Sequence, residues 1–158
     1  MRNFPVHLIR PLSVKLWGSS KSASIEIPLA PFDLDGNAIQ TTIWLENIRL
    51  PSTKLSRLQK QQFTFPSNPR NGYIDGSVYI QHAHHPVDVS SILFGILGPL
   101  GLPLTVEATM LLDCEGLMDY AATAIRIETI VETEQVWRPV QHYGPAAGDP
   151  RIHQGISI

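Results

Sequence analysis

The sequence predicts an all-β fold: an antiparallel β-sandwich or flattened β-barrel of about eight strands with one short helix. Three observations support this prediction. Short stretches of alternating apolar and polar residues recur along the chain, prolines and glycines separate them, and only one stretch has helical spacing. A parallel sheet needs a crossover between its strands, usually a helix, so a single short helix argues against that architecture.

The first half of the chain contains three alternating stretches. Ser13–Trp17 and Ser24–Ile27 are separated by a polar turn, and this pattern predicts a β-hairpin. The third stretch, Ile39–Leu45, also alternates cleanly and is expected to form one strand. The helix is expected at Ser52–Gln62, where two leucines lie three residues apart among Lys, Arg and Gln.

The second half of the chain contains the longest apolar patterns. A hairpin is expected over Tyr73–Phe94, central to the sheet. Leu104–Leu112 and Ile125–Val131 alternate most regularly, as antiparallel strands do when one face meets the core and the other meets water. Regular patterning ends near Pro139, so we expect one β domain over residues 1–140 and an irregular tail over residues 141–158.

Charge and cysteine content limit the possible functions. Charged residues make up 16% of the chain and the formal net charge is −2, which indicates either a surface partly covered by a partner or a surface of neutral polar residues. The twelve basic residues are scattered, so the sequence lacks the basic patch that nucleic-acid binding needs. Cys114 is the only cysteine, which excludes an internal disulfide and favours a reducing compartment.

The N-terminus does not resemble a signal peptide, because His7, Arg10 and two prolines interrupt its apolar run. No stretch approaches the roughly 18 apolar residues that a transmembrane helix requires. We therefore expect a cytoplasmic protein without a membrane span.

The histidines form the first candidate site. If one strand continues through them, His82 and His84 share a face and can chelate a divalent metal such as Zn. Asp88 is the predicted third ligand, with His7 and His142 as further candidates. The alternative is a polar rim at the end of a strand, where imidazoles bind nothing.

The pair resembles the His-x-His strand motif of cupin-type β-barrels, and this resemblance implies a metal-dependent enzyme as one alternative function. In those proteins a carboxylate usually follows the pair on the same strand. Here Pro86 interrupts the strand before a carboxylate is reached.

The acidic segment around Cys114 is a second candidate. Asp113 and Glu115 flank the thiol, and neighbouring carboxylates raise a thiol pKa, so the cysteine is not expected to be a nucleophile. Together with Asp119, these acids are either a cation or acid–base site or simply solvated turn residues.

The apolar segment Gly95–Pro103 is the third candidate. Its glycines and prolines disfavour regular structure, and its remaining residues are Leu and Ile. Such a loop either covers one open end of the core or presents a contact surface. Leu97, Leu100 and Leu102 are the predicted ligand- or partner-binding residues.

Trp17 and Trp44 lie opposite the predicted core residues of their strands. They form a binding platform for sugar or protein if that face is exposed, or belong to the core if a second sheet covers it, which is the interpretation we favour.

The sequence therefore favours a non-catalytic β-domain that acts through protein contacts, by self-association or as a subunit of a larger assembly, with no resident cofactor. The alternatives are a β-barrel that binds a small apolar ligand and a metal-dependent enzyme.

Overall fold

The computed structural model describes residues 1–114 and 116–133. Within these ranges the chain forms ten β-strands, one single-turn α-helix and two short 3-10 helices. The first five strands are β1 (Lys15–Ser19), β2 (Ser22–Pro28), β3 (Phe32–Leu34), β4 (Asn37–Ile39) and β5 (Thr42–Ile48). After α1 (Leu55–Leu58) follow β6 (Gln62–Thr64), β7 (Asp75–Ile80), β8 (Ala83–Phe94), β9 (Leu102–Met110) and β10 (Thr123–Val131). The 3-10 helices are Val6–Leu8 and Leu112–Cys114.

Eight of these strands form one antiparallel sheet in the order β1-β2-β5-β7-β8-β9-β10, with β6 also paired to β8. The sheet curls until its two outer strands approach each other, and Val14, just before β1, forms a parallel bridge with Val131 at the end of β10. The Val14 N–H donates to the Ile130 carbonyl at 2.9 Å, and the Glu132 N–H donates to the Val14 carbonyl at 3.0 Å. The all-β prediction is confirmed, and it takes the form of one curled sheet.

The concave side of the sheet encloses the core. Alternate residues of the strands point inward, and Ile25, Ile43 and Leu45 on neighbouring strands are completely buried. Burial of each such side chain contributes roughly 1.5–3 kcal/mol relative to exposure. β3 and β4 form a separate hairpin whose Phe32 and Ile39 also join this core.

The predicted hairpin over Tyr73–Phe94 is present, but its turn lies earlier than the histidine pattern suggests. β7 ends at Ile80, Gln81 and His82 form a two-residue turn with φ values of 51° and 67°, and β8 begins at Ala83. Because of this turn, the residues that face the core have even numbers in β7 and odd numbers in the first part of β8. The expectation that His82 and His84 share the core face of one strand is therefore wrong.

Pro86 does not end the strand. β8 pairs with β7 up to Pro86 and with β9 from Val87 onward, so the proline lies where β8 changes neighbours. The missing N–H is tolerated because the pairing with β9 starts only at the next residue.

The helix is shorter than predicted, with four residues instead of the expected Ser52–Gln62. Its N-terminus has no side-chain cap and no acidic residue in the first turn, and Lys60 then adopts a left-handed φ of 60°. Leu58 is completely buried, so docking on the sheet stabilises this single turn. Ile39–Leu45 also differs from the prediction, because β4 ends at Ile39 and β5 begins at Thr42.

The predicted tail over residues 141–158 lies outside the described residues, as does the end of the predicted domain from residue 134 onward. No helix in the described part of the chain combines the length and apolar character that crossing a bilayer requires.

Candidate functional site

The predicted metal ligands are spread along the β7–β8 hairpin. His82 is exposed in the turn, and His84 is exposed on the outer face, where its ring contacts Tyr79 edge-on with 5.3 Å between centroids. Asp88 is half-buried further along β8, and its Oδ1 accepts a hydrogen bond from the Asn68 N–H at 3.1 Å. The hairpin thus places one histidine at its tip and the other on a strand.

Other possible ligands do not complete the set. His7 is exposed in the first 3-10 helix, and His142 lies outside the described ranges. The histidine that points into the core is His85, which is completely buried. Over residues 1–114 and 116–133, no three His, Cys, Asp or Glu side chains come close enough to hold a metal ion.

The acidic segment follows β9. Asp113 and Cys114 are both exposed at the second 3-10 helix, and Asp119 is exposed in the loop before β10. Glu115 is outside the described residues, so the structure describes only Asp113 of the predicted carboxylate pair.

The apolar loop between β8 and β9 has a well-defined backbone. Gly98 and Gly101 donate reciprocal hydrogen bonds to each other's carbonyls at 3.0 and 3.2 Å, which closes a tight turn around Pro99-Leu100. At the base of the loop, the Gly95 N–H donates to the Pro103 carbonyl at 2.8 Å. The loop is therefore a short hairpin with a fixed shape.

Two further bonds connect this loop to the segment after α1. The Lys60 N–H donates to the Gly95 carbonyl at 3.0 Å, and the Leu97 N–H donates to Oε1 of Gln59 at 2.8 Å. The shape of the loop is thus stabilised by the segment after α1 as well as by the sheet.

The apolar side chains of this loop differ sharply in exposure. Ile96 is 63% exposed and Leu100, at the tip, is 76% exposed. Leu97 is half-buried, whereas Leu102 is completely buried as the first residue of β9. Of the three predicted contact residues, Leu100 is available to a partner, Leu97 lines a groove, and Leu102 belongs to the core.

The groove beside Leu97 has a volume of about 530 Å³. Leu16 of β1 and Leu55 of α1 line it together with Leu97, and Glu132 and Thr133 lie at its border. Thr53, Lys54 and Ser56 complete the lining, so the groove is a recess with three leucines and several polar residues between the loop, the helix and the sheet.

Trp17 and Trp44 both lie on the outer face of the sheet. Trp17 is 50% exposed, so the preferred interpretation as a core residue is wrong for this side chain. Trp44 is half-buried opposite Glu26 on β2 and Ser77 on β7. The outer face of β1, β5 and β7 therefore presents aromatic surface, to which Tyr79 also contributes.

A cluster that the sequence patterns do not indicate lies near the N-terminus. Nη1 and Nη2 of Arg2 donate to the Asp35 carboxylate, at 3.0 and 2.9 Å, and the Tyr120 hydroxyl donates to the same carboxylate at 2.7 Å. The guanidinium also lies 4.4 Å from the centroid of the Tyr120 ring. The Asp35 pKa is lowered, mainly by the hydrogen bonds from Arg2 and secondly by the one from Tyr120. The Tyr120 pKa is raised, and burial is the main cause.

These three residues are far apart in the sequence and carry no local motif, so no pattern could have grouped them. The cluster lines a surface groove of about 360 Å³. Three donor atoms from two residues bind one carboxylate, an arrangement suited to connecting chain segments. Comparison with protein-family models, with curated protein sequences and with solved structures found no match for this chain.

Proposed function

We propose that this chain is a non-catalytic β-domain that acts through protein contacts, by self-association or as a subunit of a larger assembly. The observation that supports this function is the loop between β8 and β9, where Ile96 and Leu100 are exposed on a backbone fixed by hydrogen bonds. Burial of such side chains against a partner releases roughly 25 cal/mol per Å² of apolar surface. A preformed loop also loses little conformational entropy on binding.

The rest of the surface supports the same function. The low content of charged residues and the exposed Trp17 both fit a surface that is covered in an assembly. The loop end and the outer face would then provide two apolar areas for contact.

Size-exclusion chromatography with light scattering tests self-association. We expect a mass above that of the monomer at high concentration, and a return towards the monomer in Leu100→Ser and in Ile96→Ser. Met118→Ser is the matched control, because Met118 is 69% exposed but lies outside the loop. A strictly monomeric wild type at high concentration would remove the self-association part of the proposal. An equal effect of all three substitutions would show that the loop is not the surface through which the chain self-associates.

The second candidate is binding of a small apolar ligand, which the groove beside Leu97 supports. Its leucine lining and its volume of about 530 Å³ lie within the range of small-molecule sites. Nile red fluorescence tests it: saturable enhancement that Leu97→Ser removes and Leu100→Ser does not would support the ligand function. Enhancement that persists in Leu97→Ser would rule the groove out.

A further inference from the structure

A second groove, of about 580 Å³, lies between the β1–β2 turn and the loop that precedes β7. It shares no lining residue with the groove beside Leu97. Its lining includes Lys21, Ser22, Asn47, Arg49, Phe65 and Tyr73. The first four are polar, two of them being positively charged, and are called the cationic wall; the last two are aromatic and are called the aromatic wall.

The cationic wall is connected by hydrogen bonds. The Leu50 N–H donates to the Ser20 carbonyl at 2.9 Å, which places the turn that carries Lys21 beside the end of β5 and Arg49. The Ser22 hydroxyl donates to Oδ1 of Asn47 at 3.2 Å. Two positively charged residues from separate parts of the chain therefore line the same groove.

Within residues 1–114 and 116–133, neither Lys21 nor Arg49 forms an ion pair with an acidic side chain. The ion pairs found across the described residues involve Arg2 and Arg126, and no Asp or Glu lines the groove. Two like charges without a counter-charge repel each other, and an anion between them removes that repulsion. Guanidinium and ammonium groups are the donors that phosphate oxygens prefer in proteins.

The aromatic wall is also preformed. The Phe65 N–H donates to the Ser90 carbonyl at 3.0 Å, and the Tyr73 N–H donates to the Arg70 carbonyl at 3.1 Å. Both rings are half-buried, so each keeps part of its surface available. A planar ring is the ligand group that such a wall binds, since stacking contributes about 1–3 kcal/mol per base in proteins that bind single-stranded nucleic acids.

We propose that this groove binds a small organic phosphate whose planar ring lies on Phe65 and Tyr73 while its phosphate contacts Lys21 and Arg49. The ligand class is a phosphomonoester of about the size of a nucleoside monophosphate. The carboxamide of Asn47 and the hydroxyl of Ser22 also line the groove and offer it hydrogen-bonding groups.

Isothermal titration of the full chain with three probes tests the proposal: AMP, adenosine and inorganic phosphate. We expect saturable binding of AMP at least about tenfold tighter than of either part alone, as expected when the two walls act together. Lys21→Gln and Arg49→Gln should each weaken AMP binding about tenfold or more, because each loses a charge-assisted contact. Arg57→Gln removes an exposed charge outside the groove and should leave it unchanged.

A further variant separates the two walls. Tyr73→Leu should weaken AMP binding and leave phosphate binding unchanged, because it removes a ring and no charge. Circular dichroism of each variant confirms folding before titration. The proposal is overturned by absence of saturable AMP binding, by AMP binding no tighter than phosphate binding, or by equal effects of Arg49→Gln and Arg57→Gln.

Discussion

The hydroxyl of Tyr120 donates a hydrogen bond of 2.7 Å to the carboxylate of Asp35, although 85 residues separate them in the chain. Asp35 lies in the turn between β3 and β4, and Tyr120 lies in the loop before β10. Arg2 binds the same carboxylate, and its backbone pairs with the loop of Tyr120 through a bond from the Arg2 N–H to the Asp119 carbonyl. One carboxylate thus connects the N-terminus, the small hairpin and the end of the main sheet.

Removal of the Tyr120 hydroxyl tests this connection. Tyr120→Phe should lower the free energy of unfolding by roughly 1 kcal/mol, since it removes one hydrogen bond to a charged group and keeps the ring. Tyr120→Ala should cost roughly 3–5 kcal/mol, because the edge-on contact with Phe4 is lost as well. Urea denaturation measures both values. Equal costs for the two substitutions would contradict a role for the ring packing.

The same cluster predicts a dependence of stability on pH. The Asp35 pKa lies below its ordinary value of 3.8, because hydrogen bonds from Arg2 and then Tyr120 favour the ionised carboxylate. A carboxyl group with a lowered folded pKa stabilises the fold above its unfolded pKa, and this contribution is lost as pH falls through the folded pKa.

We therefore expect the difference in unfolding free energy between the wild type and Asp35→Asn to be present at neutral pH and to decrease below about pH 4. The Tyr120 pKa is raised, with burial as the main cause. The stability that Tyr120 contributes is therefore fully present up to its ordinary pKa of 10.0, and it is lost as the pH rises through the pKa in the folded state. Urea titrations at pH 7 and pH 3 measure the acidic change. An equal difference at both pH values would be inconsistent with stabilisation by the ionised Asp35.

Gly101 is expected to tolerate no side chain. Its φ is 135°, and a Cβ there would lie 2.1 Å from the carbonyl oxygen of Val131. Gly101→Ala should therefore destabilise the fold by roughly 3 kcal/mol, since the clash is with backbone. Gly98→Ala is the control, because its Cβ would meet no atom closer than 4.0 Å, and it should stay within about 0.5 kcal/mol of the wild type. Thermal unfolding that ranks the two variants equally would refute this account of the loop.

The histidine hypothesis also has a direct test. Because His82 lies in the turn and His84 on a strand, we expect the wild type to carry no more Zn per chain than His82→Ala. Elemental analysis of the purified protein, with and without the substitution, measures this. Stoichiometric metal that disappears in His82→Ala would instead restore the metal site.

The regular strands could be predicted because a single rule governs them. In β9, observed at Leu102–Met110, buried residues alternate with more exposed ones along the whole strand, and in β10, observed at Thr123–Val131, they do so up to Glu128. The sequence period of two therefore identifies both strands. The position of the β7–β8 turn could not be predicted in this way. Gln81 and His82 adopt left-handed φ values without the Asn or Gly that usually marks such a turn.

The candidate sites were less predictable, because they depend on long-range proximity. Alternation places Trp17 and Val14 on opposite faces of the strand, but only the curl of the sheet decides which face is enclosed. The same holds for the groove between Lys21, Arg49 and Tyr73, whose walls come from separate parts of the chain. The apolar loop could be predicted from composition, whereas its backbone hydrogen bonds could be identified only in the three-dimensional structure.

The bridge between Val14 and Val131 also has a kinetic consequence. It joins positions near the two ends of the described β structure, and Thr129 Oγ1 adds a bond to the Leu12 carbonyl across 117 residues. Contacts of this sequence separation raise the contact order, and proteins rich in them refold in milliseconds to seconds rather than microseconds. The last step of refolding would then be the meeting of the first and last strands, after the hairpins between them have formed.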